Sequence, residues 1–471
     1  MKDNIIRKYI KFIIVIVLYY ITKNNGMYIY LLSLFLYGIY STIISHISIY
    51  NTIKDKYYVD YKNKIFKMIV NILLIINLFF LLINILISDI TNNILRIDNT
   101  FLVFLVMSFT ICLDTFETII LDYIKSFKYH SLANKLDNFY KYTDIFLYII
   151  IAILSFKVFN LPIYISISLL YLSKIISFIL FLFISIIKIK KITIKIDKNS
   201  NTKIDYKKES KHILKTNLSS GIIFTIETTY YYLSFVLMYI ILLNRYNYDS
   251  KLIENNLLFT YFYSLCIMNI VNSLVRKNCP KGSCFKRNIF NLLYYTLPLA
   301  ILFSLISPSL FYLIFNNNNT SYIYLIIIMF LGVVVPIYKE SYKYIKNNKL
   351  IYISLAIGII VKLVLLVPFV DAVYRMGFDL IYGDVFTTII GMTISIIINY
   401  TYIKNKYKLA NEGYIDKYIK VIYQNIILFL ILIILAFILP IKNDNKLLSI
   451  VVILVYTFIT FIYIKLQKRK G

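Results

Sequence analysis

Apolar runs of about 20 residues follow one another from end to end of the chain, separated by short segments rich in Lys and Asn. That length, at 1.5 Å per residue, is what a hydrocarbon layer of ~30 Å demands of a spanning helix. The pattern predicts fourteen helices. Seven lie at 12–22, 27–48, 68–90, 100–121, 142–160, 162–187 and 218–243. The other seven lie at 256–275, 289–315, 322–338, 350–370, 380–402, 421–440 and 447–464. The fold class this implies is all-α, a polytopic integral membrane protein. The first apolar run, which begins after Lys11, lacks a small-residue cleavage site and leads into a second span, so it reads as an anchor and not as a cleaved signal.

Charge fixes the orientation. If the N-terminus starts in the cytosol, Lys and Arg should crowd alternate loops. The inward segments then carry 41 of the 51 basic residues. The outward ones carry Lys23, Arg96, Lys157, Arg245, Lys251, Arg375, Lys442 and Lys446, and only Lys174 and Lys362 stay inside spans. Adding or removing one span in the middle would scramble that bias, so both termini are expected in the cytosol of a cell-membrane protein.

Composition adds little beyond this. The net charge of +28 would suggest nucleic acid if it sat on one soluble face, but it lies in loops facing an anionic leaflet, so no nucleic-acid partner is expected. Trp is absent, and the 46 Tyr must supply the interfacial aromatic belt. Cys112 and Cys266 lie in apolar runs and Cys279 and Cys284 in a basic loop. Without a second pair or a nearby histidine these read as reduced thiols, and no metal or other cofactor is expected.

The segment 188–217 holds ten lysines and divides the first twelve helices into two sets of six. The predicted organisation is a six-helix lobe over 1–187, a basic cytosolic linker over 188–217, a second six-helix lobe over 218–410, and an additional helix pair over 411–471. Both lobes start inside, which makes them a parallel repeat. Tyr123-Ile124-Lys125-x-x-Lys128 after the fourth span matches Tyr344-Ile345-Lys346-x-x-Lys349 after the tenth, the equivalent position.

The stretch from Tyr342 to Lys406 contains a Lys/Asn turn, then Lys362 to Leu365 with Pro368, a short outer turn, and Gly383 with Thr388 at the start of the next helix. With the 6+6+2 arrangement and the segment from Leu121 to Ile149, it resembles the MOP superfamily of flippases. The groups it resembles are the MurJ lipid II flippases, the stage V sporulation protein B group and the Wzx-type polysaccharide exporters. The chain departs from that pattern at Leu366, where the family has asparagine, and at Asp122 and Ser126, where it has glycines. The first two spans also lack the arginines typical of lipid II flippases. The resemblance implies two MATE/MurJ-like lobes working by alternating access on a lipid-linked saccharide diphosphate within membrane lipids. It further implies a monomer, with envelope-synthesis enzymes as partners.

Charges at bilayer depth are the site candidates, because each costs several kcal/mol to place there. Lys174 and Lys362 are the cations at that depth, and for a diphosphate cargo they would be the substrate-binding groups, lysine acting as a point charge. Snorkelling, or pairing of Lys174 with Asp114, is the other reading. Glu227, about nine residues into the seventh span, is a coupling carboxylate or an ion-pair partner for Lys362. The resemblance groups Glu227 with Asp371 and Thr388 as a cation-coupling set, and Asp384 lies one turn from Thr388 on the same face. Na+ or H+ would be the coupling ion. Asp371 also reads as a hydrated loop residue, and Glu117 as solvated near the cytosolic end of its helix.

Two other functions were weighed. A cation-coupled multidrug exporter of the MATE type shares the fold but usually stops at twelve helices. A membrane enzyme needs clustered acid/base or metal groups at one interface, whereas His46, His130 and His212 are scattered, so no enzyme is expected.

Overall fold

The computed structural model describes residues 27–45, 59–95, 100–193, 285–315, 348–407, 414–440 and 445–470, with 236–248 and single positions between 230 and 345. Ten long helices account for most of them. They are α1 (Met27–Ser45), α2 (Val59–Leu95), α3 (Thr100–Ser126), α4 (His130–Ala152) and α5 (Ile163–Thr193). After these come α6 (Phe285–Phe315), α7 (Asn348–Arg375), α8 (Ile381–Tyr407), α9 (Tyr414–Ile438) and α10 (Lys446–Lys470). Among the described residues there is no strand, and nine helices are long and apolar enough to cross a membrane. The protein is therefore an all-α, multi-pass membrane protein. The expected spans at 12–22 and 256–275, and most of those at 218–243 and 322–338, lie outside the described residues, as does most of the 188–217 linker.

The chain divides into two compact units, Met1–Leu233 and Ser234–Gly471. In the first, α3 packs against α1, α2, α4 and α5. Polarity is arranged inside out relative to a soluble domain. On α2, Ile75, Phe79, Leu82 and Leu86 point outward while Asn77, Asn84 and Ser88 are buried. Lipid is as apolar as leucine, so small and polar side chains hold the helices together by close packing and hydrogen bonds. Asn84 shows this, accepting from Tyr40 at 2.9 Å and donating to Ser108 at 2.6 Å.

A tight turn joins α3 to α4. Phe127 N–H bonds to Ile124 O and Lys128 N–H to Lys125 O, with Lys128 at φ 68°. A left-handed residue just past a helix end lets the chain reverse at once, and α4 accordingly runs back along α3. At its far end α4 relaxes into a π-helical turn, Ile153–Val158, and Asn160, again left-handed at φ 47°, leads into α5.

In the second unit, α6 packs on α9 and α10 around Ile301, Leu305, Leu428, Leu432, Val452 and Tyr456. The expected additional helix pair is thus seated on α6. Pro298 and Pro308 lie inside α6 and Pro368 inside α7. Helices in lipid tolerate such breaks because neighbouring groups re-satisfy the freed carbonyls.

Helices α7 and α8 make the most extensive helix contact among the described elements. Gly377, at φ 73°, reverses the chain between them, and Asp379 Oδ1 accepts the Ile381 N–H at 3.1 Å to cap α8. A Cβ on Gly391 would stand 2.5 Å from the Gly358 carbonyl oxygen, and one on Gly383 2.7 Å from Val370 Cα. Ser395 Oγ donates to Ser354 O at 2.7 Å beside the first of these approaches. Ile124 and Ile345, the isoleucines of the repeated Tyr-Ile-Lys stretch, are both buried in their own units.

The orientation is directly testable. Cysteines introduced into 91–99 and 316–321 should react with an impermeant thiol reagent applied to intact cells, and those in 188–217 should not. Labelling of the lysine-rich segment from outside would reverse the assignment.

Candidate functional site

Asp114 and Lys174 occupy the middle of helices whose apolar residues face lipid, so their charges can only be turned inward. Lys174 Nζ on α5 meets Asp114 Oδ2 on α3 at 2.8 Å. It also donates to the hydroxyl of Tyr37 on α1 and sits 3.9 Å from that ring's centroid. The other Asp114 oxygen accepts from the hydroxyl of Tyr140 on α4. Four helices thus converge on one ion pair. The pair is not sealed, since the Lys174 side chain keeps 16% of its surface exposed and that of Asp114 23%.

The network extends along α1, α4 and α5 at helical spacing. Ser173 Oγ donates to Asp144 Oδ1 at 2.8 Å. Tyr148 donates to Tyr30 at 2.5 Å, and the Ser33 and Tyr171 hydroxyls lie 2.6 Å apart.

Nearer the α3–α4 turn stands Glu117. The expectation that it is solvated is corrected: the residue is 5% exposed, and its Oε1 has no hydrogen-bond partner. The cause is the tight turn at Lys128, which folds α4 back so that Asp137 and Lys141 face it.

The second unit is different. Lys362 on α7 is 0% exposed, and its ammonium is enclosed by oxygen atoms. It is 3.1 Å from Asp384 Oδ1, donates to Thr388 Oγ1 at 2.7 Å, and donates to Ser234 Oγ. Thr388 in turn donates to Asp384 O at 2.8 Å, closing the ring on α8.

Lys362, expected with Lys174 to bind substrate, contacts Asp384 and Thr388, both expected in the coupling set. Asp371 has other partners, Arg245 Nη2 at 2.6 Å and the Tyr246 hydroxyl at 2.6 Å. It is tied into the helix end and is not a free loop residue. Burial, with the bond to Asp371, pushes the Tyr246 phenol up to about 12, so its O–H remains a donor at physiological pH. Glu227 lies outside the described residues. Among the described residues no cluster of three or more His, Cys, Asp or Glu could hold a metal ion.

Tyr37, Tyr140 and Ser234 were not singled out from sequence. Their polar atoms act only because distant helices bring them to a charge, and in a chain with 46 tyrosines nothing local marks two of them.

The described residues form an all-helical fold of two compact units, and that fold is shared by two solved membrane-protein structures. It matches the structure of a lipid II flippase MurJ in an inward closed conformation over 99% of this chain and 98% of that one, with a TM-score of 0.63 and 16% identity. It also matches an inward-facing multidrug resistance MATE family transporter of the MOP superfamily over 85% of this chain and 98% of that one, with a TM-score of 0.51 and 11% identity. No protein-family model matches the sequence, and no curated protein matches it.

Proposed function

We propose that the protein is a flippase of the cell membrane, moving an undecaprenyl-diphosphate-linked envelope saccharide by alternating access, with both termini in the cytosol. The observation that carries this reading is the Lys174 ammonium. It is a mid-span cation held by Asp114 and Tyr37 yet still part-exposed, in a chain that matches a lipid II flippase fold over nearly its whole length. A diphosphate loses hydration when it enters a membrane protein, and a positive partner must offset that loss. An ammonium already bound by one carboxylate can exchange it for a phosphate oxygen without being left bare.

The drug-exporter alternative accounts for less of the chain. The match to the multidrug transporter covers 85% of the chain, against 99% for the flippase. The separating experiment uses the purified full-length chain in vesicles, with fluorescent undecaprenyl-diphosphate sugar in one preparation and a cationic dye in another. The expected result is protein-dependent exchange of the lipid between leaflets and no dye transport. Dye transport without lipid exchange would replace this reading with the exporter.

A further inference from the structure

Around Asp114 and Glu117 the described residues of the first unit place four carboxylates and two lysines. Asp114 and Glu117 lie three residues apart on α3, and Asp137 and Asp144 lie on α4 with Lys141 and Tyr140 between them. Lys174 from α5 faces Asp114 and Asp144, and Lys141 is paired with Asp137. Both lysines are therefore committed. Glu117 remains, 5% exposed, with Oε1 meeting no donor.

The charged groups that face it are Lys141 and Asp137 from α4 and Asp114 from its own helix. From α5 and α1, Lys174 and Tyr37 reach it only through Asp114. From α2, the neutral amide of Asn77 lies beside Cys112, five residues before Glu117 on α3. An ionised Glu117 would thus be a buried anion beside the part-exposed Asp137, with the single Lys141 ammonium facing both. Burial without pairing costs an anion far more than the neutral acid.

We propose that Glu117 and Asp137 form a carboxyl pair that holds one exchangeable proton between α3 and α4, and that this proton is the ion the first unit carries during transport. In the loaded state the Glu117 carboxylic acid donates its O–H to the Asp137 carboxylate, whose other partner is Lys141. Two carboxyls, one proton and one ammonium then sum to zero charge. On unloading, the proton passes to water, the two carboxylates and the Lys141 ammonium together carry one net negative charge, and the α3–α4 contact must open enough to hydrate it. The ligand is a hydron. The proton site stands on this geometry alone, whereas its use in transport rests on the function proposed above.

The test begins with infrared difference spectra of the full-length protein in nanodiscs as pH is stepped. A carboxylic-acid carbonyl band that shifts in D2O and disappears in Glu117→Gln is the expected result. The same band in Glu117→Gln would overturn the site. If that variant does not fold, Asp137→Asn removes the acceptor, so the band must move in frequency; an unmoved band overturns the pair. In vesicles, an imposed pH gradient should change the rate of lipid exchange severalfold for the native chain and leave Glu117→Gln unaffected. Equal gradient dependence in both would overturn the coupling role. A native chain that shows the Glu117-dependent band but exchanges no lipid would support the proton site and overturn the transport reading.

Discussion

Lys362→Met should destabilise the protein by about 3–5 kcal/mol, the usual consequence of removing one member of a buried ion pair. Methionine preserves the length of the side chain, so the loss comes from what it leaves behind. Asp384, 1% exposed, would keep its charge without the ammonium at 3.1 Å, and the Ser234 and Thr388 oxygens would lose their donor. Adding Asp384→Asn should recover much of the stability, because a neutral amide beside two hydroxyls can be satisfied locally. The chain has no tryptophan, so unfolding is best followed by circular dichroism in detergent. A single variant that melts with the native protein would mean that water or another cation reaches the pocket. Transport assays on Lys362 variants have meaning only after this measurement, since a loss of folded protein would imitate a loss of substrate binding.

Lys174→Ala should behave in the opposite way, with modest loss of stability and large loss of transport. A hydrogen bond to a charged group contributes about 1.5–3 kcal/mol, so flipping of a lipid diphosphate should fall by roughly tenfold to a hundredfold. The obvious objection is that Asp114 is left without its partner. Lys174→Ala combined with Asp114→Asn answers it: a purely structural pair would regain activity in the double variant, and a substrate cation would not. Asp114 retains a donor from Tyr140 and some exposed surface, so the single variant is expected to fold. Recovery of flipping in the double variant would overturn the assignment of Lys174 to the substrate.

The helices were legible because a lipid-spanning run is a statistical property of 20 neighbouring residues, robust to any one of them. The site was legible only in part. Lys174 and Lys362 announced themselves as charges in apolar surroundings, and the pairing of Lys174 with Asp114 was among the readings of the sequence. What could not be read was which of two similar lysines is sealed. That depends on Ser234, which is 128 positions from Lys362, and on the close approach of α7 and α8. Glu117 was misjudged for a related reason. Distance from the end of its helix suggested water, but the turn at Lys128 places another helix there. Depth along one helix is written in the sequence, while what lies beside it is decided by topology.

The glycine contacts of α7 and α8 have a mechanical corollary. Gly383 and Gly391 are eight residues apart, about 12 Å along the axis of α8, and each brings a backbone against the partner helix. Two fixed points with the Lys362 cross-link at the same seam remove sliding, rolling and splaying as independent movements. The hairpin therefore behaves as a strut, a single stiff body whose internal distances are constants of the molecule. A pair of spectroscopic labels, one on each of these helices, would serve as a built-in ruler. Displacements of α1 to α5 or of the α9–α10 pair could then be measured against a frame that does not itself deform.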